Sequence, residues 1–113
     1  MKKFEMVIKA LADEKRARIL KLLSRKRFCV CELAYILKIT QPAVSKHLKK
    51  MKASGIIDCE QEGFWTDYFM AKPKNRHEKT LIGCILKWLD DKEISAADLR
   101  RSKNINRQKL CCR

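Results

Sequence analysis

CVCELAYILKITQPAVSKHLKKMKASG, residues 29–55, holds two apolar periodicities with almost nothing between them. Val30, Leu33, Ala34 and Leu37 fall at helical spacing and predict a short helix. Lys38-Ile39 leave room only for a tight turn. Thr40 is suited to cap a second helix. Pro42 sits early in that helix, where a missing N–H costs little. Val44, Leu48 and Met51 form its apolar side, and Gly55 is a natural stop. Two short helices joined this closely predict a helix-turn-helix.

The flanks extend the pattern. Phe4, Val7, Ile8 and Leu11 predict an amphipathic opening helix. Asp13 can cap a second, with Ile19, Leu20, Leu22 and Leu23 on its buried side. Residues 56–61 and 64–71 alternate with period two around Glu62-Gly63 and predict a β-hairpin that Pro73 ends. From His77 to about Glu93, Leu81, Ile82, Ile85, Leu86, Trp88 and Leu89 predict a long helix. It is more apolar than a surface helix should be, so a partner subunit or the rest of the domain must cover it. Residues 96–113 are polar and basic and are expected to be loose. The fold class is mainly α with a β-hairpin: a winged helix-turn-helix, dimeric, over residues 1–95, followed by a basic, cysteine-containing tail over 96–113.

The 113 residues carry a net charge of +14, unevenly spread. Residues 1–55 hold 15 Lys/Arg against 4 Asp/Glu, whereas residues 98–113 hold 6 against 1. A body this basic predicts an acidic polymer as partner, most simply double-stranded DNA. At 100° per residue, the helix from Gln41 to Ser54 turns Gln41, Ser45, Lys46, Lys49 and Lys52 away from its apolar side. Gln and Ser can bond base edges, and Lys can bond phosphate or guanine. The candidate DNA-binding set is Gln41, Ser45, Lys46, His47, Lys49 and Lys50; His47 adjoins the apolar side and has a packing role as its alternative. Lys15 and Arg18 are expected to add phosphate contacts. Residues 53–71 contain no Lys or Arg but hold Asp58, Glu60, Glu62 and Asp67, so the hairpin is expected to contribute little to a polyanion grip.

No apolar run approaches the length of a membrane span, and the N-terminus has no signal-peptide core. A cytoplasmic protein with reduced thiols is expected. Among its six cysteines, Cys29 and Cys31 stand one residue apart. Inside an ideal helix, residues two apart point about 200° apart. Both thiols therefore cannot face the core, and both cannot hold one ion without local distortion. If a soft ion takes both, the first turn of this helix must unwind, which would move the helix from Gln41 to Ser54 relative to its mate. Soft thiolates favour As(III), Sb(III) or Cd(II) over Mg(II) or Ca(II). The alternative is that both are small core residues.

With these stretches in hand, the chain resembles the ArsR/SmtB metal-responsive repressors. LADEKRARILKLL (11–23), CVCEL (29–33), TQPAVSKHLKKMKASGII (40–57) and EGFW (62–65) carry the resemblance, which runs through about residue 72 and loosely over the last helix. CVCEL is similar to the arsenite- and antimonite-sensing motif of the family's arsenic branch. The resemblance implies a homodimer, formed through the first and last helices, that represses an arsenic-resistance operon until metalloid binds. It also implies Cys29 and Cys31 as ligands, no permanent cofactor, and As(III) or Sb(III) as inducer. Two features depart from it. Family wings usually carry basic residues near the tip, where Phe64 stands here. The third cysteine expected three residues after the second is Ala34. Cys111 and Cys112 are candidates to complete the site, with Cys59 and Cys84 as less favoured ones.

No nucleophile–base pair, phosphate loop or paired catalytic carboxylates stand out, which argues against an enzyme. Two rival functions remain: a redox-responsive repressor on the same scaffold, and a thiol-rich metal-binding protein whose basic surface serves a protein partner.

Overall fold

The computed structural model describes residues 2–110. The chain runs α1 (Lys2–Leu11), α2 (Glu14–Leu23), α3 (Val30–Leu37), α4 (Gln41–Ser54), β1 (Ile57–Glu62), β2 (Trp65–Met70), α5 (Arg76–Asp90), α6 (Glu93–Lys103) and α7 (Arg107–Leu110).

The caps explain the boundaries. Asp13 Oδ1 accepts from the Arg16 N–H at 3.1 Å and starts α2. Thr40 Oγ1 accepts from the Ala43 N–H at 3.2 Å and starts α4. Asn75 Oδ1 accepts from the Glu78 N–H at 2.9 Å and starts α5. One orphan donor in each of these first turns thus finds a side-chain oxygen. Between α3 and α4, Lys38 takes the left-handed conformation at φ 59° and ends α3. That geometry usually falls to glycine, as at Gly55, φ 86°, which ends α4.

The core lies where α2, α3 and α4 meet. Ile19, Leu20, Leu22, Leu33, Ile36, Val44, Leu48 and Met51 are all buried there, with Phe28 and Ile56 closing the side towards the hairpin. The hairpin pairs Ile57 with Met70 at its base and Glu62 with Trp65 at its tip. The turn is therefore Gly63-Phe64, one residue later than the sequence pattern suggests. The reason is conformational: Gly63 supplies the positive φ, 59°, that the first central position of a primed hairpin turn requires. Phe28 joins the sheet as a single bridge to Tyr68, with N–H···O bonds of 3.2 and 2.8 Å in the two directions.

The stretch from residue 96 onward is not loose as far as it is described. α6 packs on α2 and α3, and α7 packs on α3. A buried ion pair, beside Leu99 against the core, docks α6. Asp98 is only 2 % exposed. It accepts from Arg18 Nε at 2.9 Å and Nη2 at 2.8 Å, and from Arg101 Nη2 at 2.9 Å. Arg101 Nε also donates to the Ile36 carbonyl, in the last turn of α3, at 2.6 Å. Lys21 of α2 pairs similarly with Asp90 at the end of α5. Arg18 is thus turned inward, and the expected phosphate contact there is corrected: its guanidinium is buried against Asp98.

Two apolar surfaces remain open. Phe4 and Ile8 are exposed on α1. On α5 only Glu78 and Ile82 are buried, and Trp88 is 67 % exposed.

Asp98→Ala should lower the unfolding free energy by about 3 kcal/mol, because Arg18 is left buried without its main carboxylate. Glu14→Ala removes only the exposed 3.6 Å partner of Arg18 and should cost under about 1 kcal/mol. Urea titrations of the two variants check the contrast; equal effects would refute it.

Candidate nucleic-acid interface and thiol site

α4 projects from the core as a ridge. Val44, Leu48 and Met51 anchor it, and Gln41, Ser45, Lys46, Lys49, Lys50 and Lys52 are exposed. Five of the six candidate interface residues therefore share the solvent side of one helix. Such a ridge, with two amide or hydroxyl groups near its N-terminus and lysines along it, has the donors that a polyanion groove accepts.

His47 stands apart from the other five. It is half-buried, and its Nδ1 lies 3.3 Å from Arg16 Nη1. A guanidinium can only donate, so this contact is a hydrogen bond in the neutral ring with Nδ1 as acceptor. Burial pushes its pKa below the ordinary 6.5, and the charges of Arg16, Lys15 and Lys50 act the same way against an opposing pull from Asp13. Arg16 is itself held by the Ala10 and Lys9 carbonyls, each at 2.9 Å. His47 thus fastens α4 to the α1–α2 junction. Beside it, Lys9, Arg16 and Lys50 line a groove of about 530 Å³ between α1 and α4. Arg16 is a positioning group that the spacing of cations along the chain does not single out.

The hairpin is less hostile to a polyanion than its composition implies. Asp67 is buried and paired with Arg107. Glu60 receives Arg27 Nη1 at 2.7 Å, and that guanidinium also lies 4.2 Å from the Phe69 ring centre. Phe64 at the tip is 71 % exposed.

Cys29 and Cys31 stand at the entrance of α3. Cys29 is its N-cap, in extended conformation, and Cys31 is its second residue. Only Cys31 is inside the helix, so the 200° separation expected of two helical residues does not describe the pair. Their environments differ all the same: Cys29 is 4 % exposed and Cys31 is half-exposed. Glu32 Oε1 accepts from the Cys29 N–H at 2.9 Å, the return bond of a capping box.

The other cysteines divide. Cys84 is exposed on α5, not packed as its apolar neighbours suggest. Cys59 sits on β1 opposite Tyr68, which in turn bridges Phe28. Two strand spacings, about 10 Å, therefore separate its backbone from that of Phe28, and its thiol lies beside the Lys52 ammonium instead. Cys111 and Cys112 lie outside the described residues. Among the described residues, no three His, Cys, Asp or Glu side chains are gathered to hold a metal ion, and no helix is long and apolar enough to cross a membrane.

Residues 13–58 match the model of the family described as bacterial regulatory protein, arsR family. The arsenic resistance transcriptional regulator ArsR2 of Pseudomonas putida is 32 % identical over 115 residues, which cover 94 % of this chain and 95 % of that protein. This chain belongs to the ArsR family. Another P. putida arsenic resistance regulator, ArsR1, is 41 % identical over 64 residues, 56 % of this chain and half of that protein's length. Among solved structures, a Mycobacterium bovis domain described as a homodimeric winged helix-turn-helix DNA-binding domain superposes with a TM-score of 0.67 at 24 % identity, covering 80 % of this chain and 81 % of that one. The architecture is a winged helix-turn-helix. The ArsR-family match spans α2 to α4 and so contains Cys29, Cys31 and the α4 ridge; Asp67, α6 and α7 lie beyond it.

A His47 pKa below 6.5 means that the unfolded chain binds the proton first. Stability from this site is present above about pH 6.5 and is lost as pH falls through the folded value. The wild-type urea midpoint should therefore fall from pH 7 to about 5 more steeply than that of His47→Gln. Parallel pH profiles would show that His47 carries none of the dependence.

Proposed function

We propose that this chain is a dimeric transcriptional repressor that binds double-stranded operator DNA through α4 and releases it when As(III) or Sb(III) is held by Cys29 and Cys31. One observation carries the reading: the two thiols form the entrance of α3, the helix against which α4 is set. Full-length similarity to a protein named an arsenic resistance regulator supports the choice of ion.

The residues divide the work. Gln41 and Ser45, near the start of α4, would meet base edges, and Lys46, Lys49 and Lys50 would meet phosphate. His47 would hold α4 in place through Arg16. The open apolar surfaces of α1 and α5 are where a second copy would pack, and two α4 helices would then read half-sites roughly 34–36 Å apart. Two soft thiolates suit a thiophilic ion. One thiol is buried and the other half-exposed, and drawing both onto one ion would rearrange the Cys29–Glu32 turn. That turn begins the helix that positions α4.

Lys46→Ala or Lys49→Ala should weaken operator binding and reduce its salt dependence by up to about one unit of slope for each phosphate left without its lysine. Glu60→Gln and Glu62→Gln should leave affinity unchanged or raise it. Fluorescence anisotropy at several salt concentrations reads both, and a large drop in affinity of the hairpin variants would show that the wing, not α4 alone, grips the DNA.

Cys29→Ser and Cys31→Ser should still bind operator but no longer release it on addition of arsenite. A gel shift with arsenite, antimonite, cadmium, zinc and peroxide tests this. Normal release of both variants by arsenite would place the sensor elsewhere, and release of the wild type by peroxide alone would favour a redox signal.

A further inference from the structure

Three elements meet beside the thiols. Glu32 comes from the first turn of α3, Asp67 from β2 and Arg107 from α7. Arg107 Nη2 donates to Glu32 Oε1 at 3.0 Å and also to Asp67 Oδ1. The same Glu32 oxygen receives the Cys29 N–H. The Arg107 guanidinium carbon also lies 5.1 Å from the Trp65 ring centre. Both carboxylates are buried, so one cation neutralises two charges that would otherwise repel each other across the base of the wing. Burial works against the Arg107 charge, but the hydrogen bonds it donates to Asp67 and Glu32 outweigh it, with Cys29 adding in the same direction, and its pKa rises above the ordinary value.

We propose that Arg107 is a positioning residue for the thiol site: by tying Glu32 to Asp67 it locks the Cys29–Glu32 turn and so sets the arsenite concentration at which operator is released. The proposal rests on Cys29 and Cys31 being the inducer ligands, as argued above. Glu32 is the shared part. It caps the Cys29 N–H and it holds Arg107, so any movement that brings both sulfurs to one ion must disturb the two bonds together. The neighbouring Phe28 is fixed to Tyr68, next to Asp67, which anchors the stationary side of the lock. Loss of Arg107 leaves the cap in place but removes its tether, and the turn opens at lower cost.

The test compares the full-length wild type with Arg107→Gln, Arg107→Lys and Asp67→Asn. Operator affinity without arsenite should be the same for all. The arsenite concentration for half-release should fall about tenfold in R107Q and D67N, and R107K should return towards wild type because it keeps the charge. A merely structural role would instead weaken operator binding and leave the arsenite midpoint where it was. Hydrogen exchange without arsenite gives an independent arm: R107Q should lose about tenfold protection at residues 30–34 while α4 keeps its own. An unchanged midpoint in a wild type that responds to arsenite overturns the lock but not the sensor. A wild type that ignores arsenite overturns the sensor, and the exchange arm then decides the lock: local loss supports it, and uniform or absent loss rejects it.

Discussion

An eight-residue helix does not persist in water by itself. α3 spans only Val30–Leu37, yet it must hold α4 at a fixed angle. Its stability is borrowed from outside. Leu33 and Ile36 press into the core. Arg101 binds the Ile36 carbonyl at its C-terminal end, where a positive charge also complements the helix dipole. Arg107 holds Glu32 at its N-terminal end. Both arginines come from the region beyond α5, so the helix that carries the thiols is braced at each end by residues far away in sequence. The environment of Cys29 and Cys31 follows from that brace.

Much of the architecture is legible in the sequence because local signals agree. Asp13 and Thr40 cap the helices they are suited to cap, Gly55 stops α4, and apolar residues at helical spacing in α2 to α4 enter the core. The turn of the hairpin shifts by one residue because Gly63, not the polar pair around it, decides where a positive φ can occur. α6 is hidden for a different reason. Residues 96–113 have little apolar periodicity, and their basic composition suggests a solvated tail. The deciding residue is the acid Asp98, which pairs with Arg18 from 80 positions earlier. No local pattern announces a long-range ion pair.

The candidate site divides along the same line. The exposed side of α4 follows from the 100° step alone, so Gln41, Ser45, Lys46, Lys49 and Lys50 appear where periodicity puts them. Counting cations goes astray at Arg18, which is buried, and cannot distinguish His47, whose ring meets Arg16. Counting anions overstates the acidity of the wing, since Asp67 and Glu60 are paired. Net charge describes a surface only after internal pairs are set aside.

The distance in sequence between the brace and what it braces also orders the folding of the chain. Arg18 and Asp98 are 80 residues apart, and Glu32 and Arg107 are 75 apart. Contacts this remote carry a loop-closure cost before they give anything back, and such contacts slow folding. α2, α3 and α4 can collapse on their shared core while α6 is still being synthesised, because N-terminal segments emerge first. The helix-turn-helix can therefore collapse before its braces are made. In the reverse direction the α6–α7 brace is the natural first segment to fray, which would leave a core still folded but with its thiol-bearing helix unsupported.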